Sequence, residues 1–252
     1  MNALLLCAGY ATRMGELTRD FPKALLPVGG RAILSDLVGQ LIRTKRFEQI
    51  AIVTNDRDIE HFERWRRDLI AEFAGTKRLP KIALVNDGTT TNETRLGAIG
   101  DLALALRETG RVGPALVGAG DNLFRFDLEA YLADFDRAES SMVLVQEEPD
   151  LARRQRSGVA ELDADGNLLR LWEKPENPPS LFCCPPLYLL SEEALAEVDP
   201  CLAANPGIDA PGNLIAWIAE RLPIRTHRMQ GMRLDVGNAE SYRAAEAWLA
   251  RH

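Results

Sequence analysis

The chain has 252 residues, enough for one large buried core and too few for a string of separate domains. Its 37 Asp and Glu outweigh its 30 Lys and Arg, giving a formal net charge of −7. With no basic face evident, that balance argues against a nucleic-acid or anionic-membrane surface, while 46% hydrophobic and 27% charged residues suit a globular enzyme.

The predicted elements alternate through the first half. An apolar run over 3–7 reads as a strand buried on both faces. Helical spacing follows over 33–43, a strand over 49–54, an amphipathic helix over 59–73 and a strand over 81–85. A helix over 96–106 leads to a strand over 115–117. The second half changes character. A strand is expected over 141–145, and strands over 158–162 and 168–172 flank Asp165-Gly166-Asn167, a hairpin signal. The apolar stretch 181–190 is strand-like but broken by Pro185-Pro186. Helices over 192–198 and 212–221, strands over 224–227 and 232–234, and a helix over 240–250 close the chain. This order predicts an α/β, doubly wound, mostly parallel mixed sheet with a substrate-side hairpin lobe. A single domain is expected over 1–252, with 1–125 as nucleotide-binding half and 126–252 as acceptor-binding half.

No apolar run approaches the roughly 20 residues that a bilayer requires. Met1 leads directly into the first strand without a basic leader, so no secretory signal is expected and the cytoplasm is the expected compartment. Cys7, Cys183, Cys184 and Cys201 lack C-x-x-C spacing, so neither zinc nor a disulfide framework is expected.

The stretch LLLCAGYATRMGELTRDFPKALLPVGG carries the strongest chemical signal. After the first strand comes a loop with Gly9, where backbone amides can approach a phosphate, and with Thr12 and Arg13 beside them. Lys23 follows, stiffened by Pro22. Two cations and a ring of amides suit a triphosphate. Asp121 follows a strand at its carboxyl end, where open α/β sheets place ligands, and suits a magnesium ion shared with phosphate oxygens. Asp235 ends another strand, and no histidine stands beside a motif: His61, His227 and His252 all lie elsewhere in sequence.

These segments resemble the signature of the nucleotidyltransferases that make nucleoside-diphosphate sugars. The family pattern A-G-G-x-G-T-R-[LM], P-K and P-V-x-G stands here as Ala8-Gly9-Tyr10-Ala11-Thr12-Arg13-Met14, Pro22-Lys23 and Pro27-Val28-Gly29-Gly30. Ala11 replaces a loop glycine, and its methyl is tolerated only where positive φ is not required. Gly120-Asp121-Asn122, Trp172-Glu173-Lys174-Pro175 and Asp235-Val236-Gly237 match further family motifs. The resemblance implies a Rossmann-like fold and a small single-domain enzyme. It implies nucleotide contacts at Leu6, Ala8, Gly9, Tyr10, Ala11, Thr12, Arg13, Lys23, Asn86, Thr91, Asn92, Gly97 and Gly120. It implies acceptor contacts at Asn122, Glu173, Lys174, Tyr188 and Asn213, and Mg²⁺ on Asp121 and Asp235.

The implied reaction joins a nucleoside monophosphate, taken from a nucleoside triphosphate, to a sugar-1-phosphate and releases pyrophosphate. Arg13, Lys23 and Asp121 are the expected catalytic residues, and a homodimer is the assembly considered. The loop from Asn86 to Ala98 should set specificity, with Asn92 or Thr94 as helix cap. A second reading is a cytidylyltransferase acting on a phosphorylated non-sugar alcohol. For phosphocholine that would call for an aromatic cage, with Trp172, Tyr188 and Trp217 available. A silent nucleotide-binding subunit would be expected to lose the lysine or the carboxylates. A Rossmann oxidoreductase lacks its G-x-G-x-x-G here.

Overall fold

The computed structural model describes residues 1–110 and 113–249. In chain order, β1 (Asn2–Leu6) leads through 3₁₀ turns at Thr12–Thr18 and Lys23–Leu25 to β2 (Pro27–Val28) and β3 (Arg31–Ala32). Then come α1 (Ile33–Thr44), β4 (Gln49–Thr54), α2 (Ile59–Glu72), β5 (Lys81–Asn86), α3 (Ala98–Thr109) and β6 (Ala115–Ala119). Next are β7 (Asn122–Phe126), α4 (Leu128–Ala138), β8 (Ser141–Glu147), α5 (Leu151–Arg154), β9 (Gly158–Leu162) and β10 (Leu168–Glu173). The remainder is β11 (Phe182–Cys183), β12 (Leu187–Leu190), α6 (Glu192–Ala196), α7 (Val198–Ala204), α8 (Pro211–Ala219), β13 (Ile224–Arg228), β14 (Gly231–Asp235) and α9 (Ala239–Leu249).

The chain divides into two compact units. One holds Met1–Leu96, Ala119–Arg125 and the stretch from Met232; the other holds Gly97–Gly118 and Phe126–Gly231. The nucleotide-side motifs and Asp235 thus fall in one unit although they are far apart in sequence. In this first unit, β1 pairs parallel with β4, and β4 with β5, with Leu5 opposite Ile52 and Ile52 opposite Leu84. Ala3, Leu4 and Leu5 are buried, as the unbroken apolar run requires of a central parallel strand. In α1, Ile33, Leu34, Leu37, Val38, Leu41 and Ile42 are buried at helical spacing, which buries one broad face. A satellite core joins Met14, Leu26, Val28, Ile33 and Leu123 to Val236 and Ala245. The end of the chain thereby packs beneath the loop that follows β1.

The second unit is richer in antiparallel pairing. Its strands run in the order β10, β9, β11, β8, β12, β6, and β13 adds parallel to β8. The β9–β10 hairpin forms where Asp165-Gly166-Asn167 predicts it, with Gly166 at φ +80°. Asp163 braces it, accepting from the backbone N–H groups of Asp165 and Asn167 and from the Asn167 amide. Those bonds hold the Asp163 carboxyl below its ordinary pKa, the Asn167 side chain foremost. Helix α8 lies on β10 and buries Leu214, Ile215 and Ile218. Tyr131 of α4 directs its hydroxyl at the carbonyls of Met142 and Leu187, and burial pushes its pKa well up.

The mixed α/β sheet matches the expected fold class, and the differences are local. The predicted helix over 96–106 starts at Ala98, because Gly97 at φ +79° stands outside the helical region. The apolar stretch 181–190 divides at Pro185-Pro186 into β11 and β12. Residue 250 of the predicted closing helix, and His252, lie outside the described residues. Among the described residues, no helix is long and apolar enough to cross a membrane.

Candidate functional site

The loop after β1 is pinned from below by side chains that water barely reaches. Asn55 donates its amide to the carbonyl of Ala8 at 3.1 Å, and its own oxygen accepts from the Asp58 N–H. The Thr89 hydroxyl donates to Asp87, so the Tyr10 hydroxyl is the donor in the 2.8 Å bond it makes with Thr89. The Arg57 guanidinium covers the Tyr10 ring, and burial, ahead of the Asp87 charge, raises the phenol pKa. Tyr10 is therefore a strut of the loop. Gly9 is exposed, and a Cβ built on it would meet nothing within 4 Å. Its missing side chain leaves room for an incoming group, since no packing requires the glycine.

Ala11 adopts the left-handed conformation, φ 48° and ψ 37°. The tolerance condition set for this alanine is thus not met, and the strain costs about 1–2 kcal/mol. Two bonds and one contact offset it. The Ala11 carbonyl accepts from the Met14 N–H at 2.9 Å and the Thr18 hydroxyl at 3.1 Å, while Ala11 packs on the satellite core. Thr12 and Arg13 follow on the surface, and Arg13 makes no hydrogen bond or ion pair among the described residues.

Lys23 opens the second 3₁₀ turn, directly after Pro22. Its ammonium lies 2.6 Å from Asp121 Oδ2, with side-chain exposures of 11% and 35%. The two sequence-predicted groups, 98 residues apart, are therefore brought into contact. Gly120 explains how the chain gets there: its N–H bonds the Leu6 carbonyl at 3.1 Å, and an added Cβ would lie 2.3 Å from Cys7 Sγ. That glycine serves close backbone packing and leaves no open approach.

From Asp121 the contacts continue. Asn122 Nδ2 donates to Asp121 Oδ1 at 2.7 Å, and Asn122 Oδ1 accepts from Arg233 Nε at 2.6 Å. Arg233 Nη2 lies 3.5 Å from Asp235 Oδ2. The two predicted metal ligands thus belong to one chain of bonded groups, joined through an arginine that no sequence motif flagged. Asn122 is 2% exposed, and both ends of its amide are engaged in this chain of contacts. The donor set is two carboxylates, hard oxygens with part of their surface open. That fits magnesium, which binds through one or two carboxylates and completes its shell with water and phosphate. No group of three or more His, Cys, Asp or Glu converges among the described residues.

His61 corrects one expectation. Its ring packs edge-on against Phe21, centroids 4.9 Å apart, so a histidine does stand beside the Pro22-Lys23 motif. Its Nδ1 faces Arg64 at 3.2 Å.

In the loop after β5, Asn86 spends its amide on Asp56 and on the Gly88 N–H. Thr91 is exposed and pairs with Thr94, while the Asn92 carbonyl accepts from Arg95. Neither Asn92 nor Thr94 caps α3, because the helix begins beyond both. The cap is Asp209, whose Oδ1 accepts from the Ala98 N–H at 2.9 Å. A Cβ on Gly97 would lie 2.8 Å from that same oxygen, so the glycine admits the carboxylate.

In the second unit, Glu173 of the predicted acceptor residues lies against the start of α8, the helix that holds Asn213. A Cβ on Gly212 would fall 2.0 Å from Glu173 Oε2, so the carboxylate sits against the first turn of that helix, next to Asn213. Lys174 is 59% exposed, 3.5 Å from Glu173 Oε1, with its backbone at φ 48°. Tyr188 is instead buried within β12. Of the three aromatics considered for a cage, Tyr188 is buried, and a guanidinium lies over one face of Trp172 (Arg170, 3.9 Å) and of Trp217 (Arg221, 3.3 Å).

Residues 2–251 match the family model described as nucleotidyl transferase. The chain is 27% identical over 253 residues to the UTP–glucose-1-phosphate uridylyltransferase AglF of Haloferax volcanii, covering 98% of this chain and 95% of that protein. It is 24% identical over 237 residues to the bifunctional protein GlmU of Methanocaldococcus jannaschii, covering 94% of this chain but only 51% of that longer protein. Among solved structures, a UDP-glucose pyrophosphorylase complexed with UDP-glucose superposes with a TM-score of 0.82 at 21% identity, covering 100% and 99% of the two chains. A UTP-bound UGPase from Acinetobacter baumannii gives 0.80 at 20% identity, covering 100% and 94%. These two structures share the fold. The match across nearly every residue places the chain in the nucleotidyl transferase family.

Proposed function

We propose that this protein transfers a nucleoside monophosphate from a nucleoside triphosphate to a sugar-1-phosphate, forming an NDP-sugar and pyrophosphate. The observation that carries the reading is the Lys23–Asp121 contact, continued through Asn122 and Arg233 to Asp235. It joins one ammonium and two carboxylates through a single run of contacts, in the unit that also holds the exposed Gly9 loop and Arg13. The AglF relative, matched nearly end to end, supports a sugar-1-phosphate acceptor. A guanidinium already occupies one face of each indole considered for phosphocholine.

The acceptor phosphate attacks the α-phosphorus, its bond to the bridging oxygen breaks, and pyrophosphate leaves. That phosphate is already an anion at neutral pH, so the site requires no general base. Its task is positioning and charge neutralisation. Arg13 and Lys23 would hold the triphosphate and the departing pyrophosphate. Asp121 and Asp235 would hold Mg²⁺, which supplies charge neutralisation at phosphate oxygens when bound. For Lys23 to reach a phosphate, its contact with Asp121 has to open. Lys174 suits the acceptor phosphate, because a compact charge on a flexible stem can follow a moving group. Glu173, against the first turn of α8, would accept from sugar hydroxyls.

A pyrophosphate-release screen tests this directly, with the common triphosphates against sugar-1-phosphates and phosphorylated alcohols in the presence of Mg²⁺. Release confined to sugar-1-phosphates is expected. Release with phospho-alcohols alone would refute the acceptor class.

A further inference from the structure

Arg233 stands between the two aspartates, and its bonds decide how one of them is oriented. Its side chain is 18% exposed, with Nε on Asn122 Oδ1 and Nη2 near Asp235 Oδ2. A guanidinium only donates, so Asn122 must turn its amide oxygen toward Arg233. The NH₂ group of the same amide then faces Asp121 and donates to Oδ1 at 2.7 Å. With Oδ1 anchored, Oδ2 is the oxygen left facing Lys23. Were the amide turned over, it would set oxygen against carboxylate. The pairing of β7 with β14 brings these groups together, since Asn122 begins one strand and Arg233 lies in the other.

We propose that Arg233 is a positioning residue for the divalent cation: through Asn122 it fixes the plane of the Asp121 carboxylate. Groups behind metal ligands commonly act in this way, and their loss weakens metal affinity about 10–100-fold. The inference rests on the proposed function, which places that cation on Asp121 and Asp235. A merely structural Arg233 would tie β7 to β14, and its loss would lower stability without touching metal affinity.

The experiment is a Mn²⁺ titration of the full chain followed by electron paramagnetic resonance, with unfolding midpoints measured alongside. Arg233→Met is expected to weaken Mn²⁺ binding about 10–100-fold. Asn122→Ala should show a similar loss, and the double variant little more, because the arginine acts through the amide. Should Arg233→Met fail to fold, Arg233→Lys carries the test, since one ammonium lacks the planar fork that meets both partners. Wild-type Mn²⁺ affinity in a folded Arg233 variant, or full additivity in the double variant, would overturn the inference while leaving the proposed function standing. Absence of Mn²⁺ binding by the wild-type protein would overturn both.

Discussion

Lys23 and Lys174 each adjoin a proline, and the protein treats them in opposite ways. Lys23 is 11% exposed and bonded to a carboxylate 98 residues away. Lys174 is 59% exposed, and its ion-pair partner is the adjacent Glu173. The first cation is built into tertiary structure and charge-compensated before any ligand arrives. The second is left exposed, its backbone held by its own hairpin through the bond from its N–H to the Ser157 carbonyl at 3.1 Å. A pre-paired cation suits a site that has to distinguish a metal–triphosphate from other anions. An exposed one suits a phosphate that moves during the reaction.

Substitutions should separate the two regions. The largest effect belongs to Lys23→Ala and Asp121→Ala. Each is expected to lower pyrophosphate release at least a hundredfold, about 3 kcal/mol of transition-state stabilisation, with the far-ultraviolet circular dichroism unchanged. Release near the wild-type rate from either variant would remove that pair from catalysis. Lys174→Ala should act more mildly, raising KM for the acceptor about tenfold while the dissociation constant for the triphosphate stays put. A matching loss of triphosphate affinity would erase the distinction between the two lysines.

Gly212→Ala sharpens the acceptor side. Alanine favours a helix by about 1 kcal/mol over glycine, yet here its Cβ would land 2.0 Å from Glu173 Oε2. Acceptor KM is expected to rise while the unfolding midpoint hardly moves, and Glu173→Ala in the same background should cause no further loss. Ala11→Gly tests the first loop with a smaller effect. Relief of left-handed strain is partly cancelled by the greater unfolded-state freedom of glycine, so a gain of under about 1 kcal/mol is expected in urea unfolding.

The smallest effect concerns Asp163, whose pKa is lowered in the folded protein. A depressed carboxylate stabilises above its unfolded pKa, near 4, and that contribution fades as pH falls through the folded value. Asp163→Ala should therefore cost some stability at pH 7, and its difference from the wild type should shrink as pH falls through the folded value, flattening the acid side of the curve.

Much of this organisation is readable from local pattern. The strand at Gln49–Thr54 and the hairpin around Gly166 follow from apolar runs and turn chemistry that need no distant partner. α4 carries local signals of the same kind, with Asp127 as cap and Leu128, Tyr131, Leu132 and Phe135 on its buried face, although no helix is predicted over 128–138. What local pattern omits is long-range pairing. Nothing near Arg233 in sequence says that it bonds Asn122, 111 positions earlier. Asp209 capping α3 is equally silent, since Asn92 and Thr94 look like better caps by proximity. Ala11 is an intermediate case: the motif poses the question of its conformation, and only the fold answers it.

The central claim is that one chain moves the α-phosphate of a triphosphate onto a sugar phosphate. The direct measurement is a reaction with α-³²P-labelled triphosphate, Mg²⁺ and a sugar-1-phosphate, with products separated by chromatography. Label is expected in the NDP-sugar, with unlabelled pyrophosphate in equal amount. Label recovered only as free nucleoside mono- or diphosphate, whether or not the sugar phosphate is present, would contradict the claim.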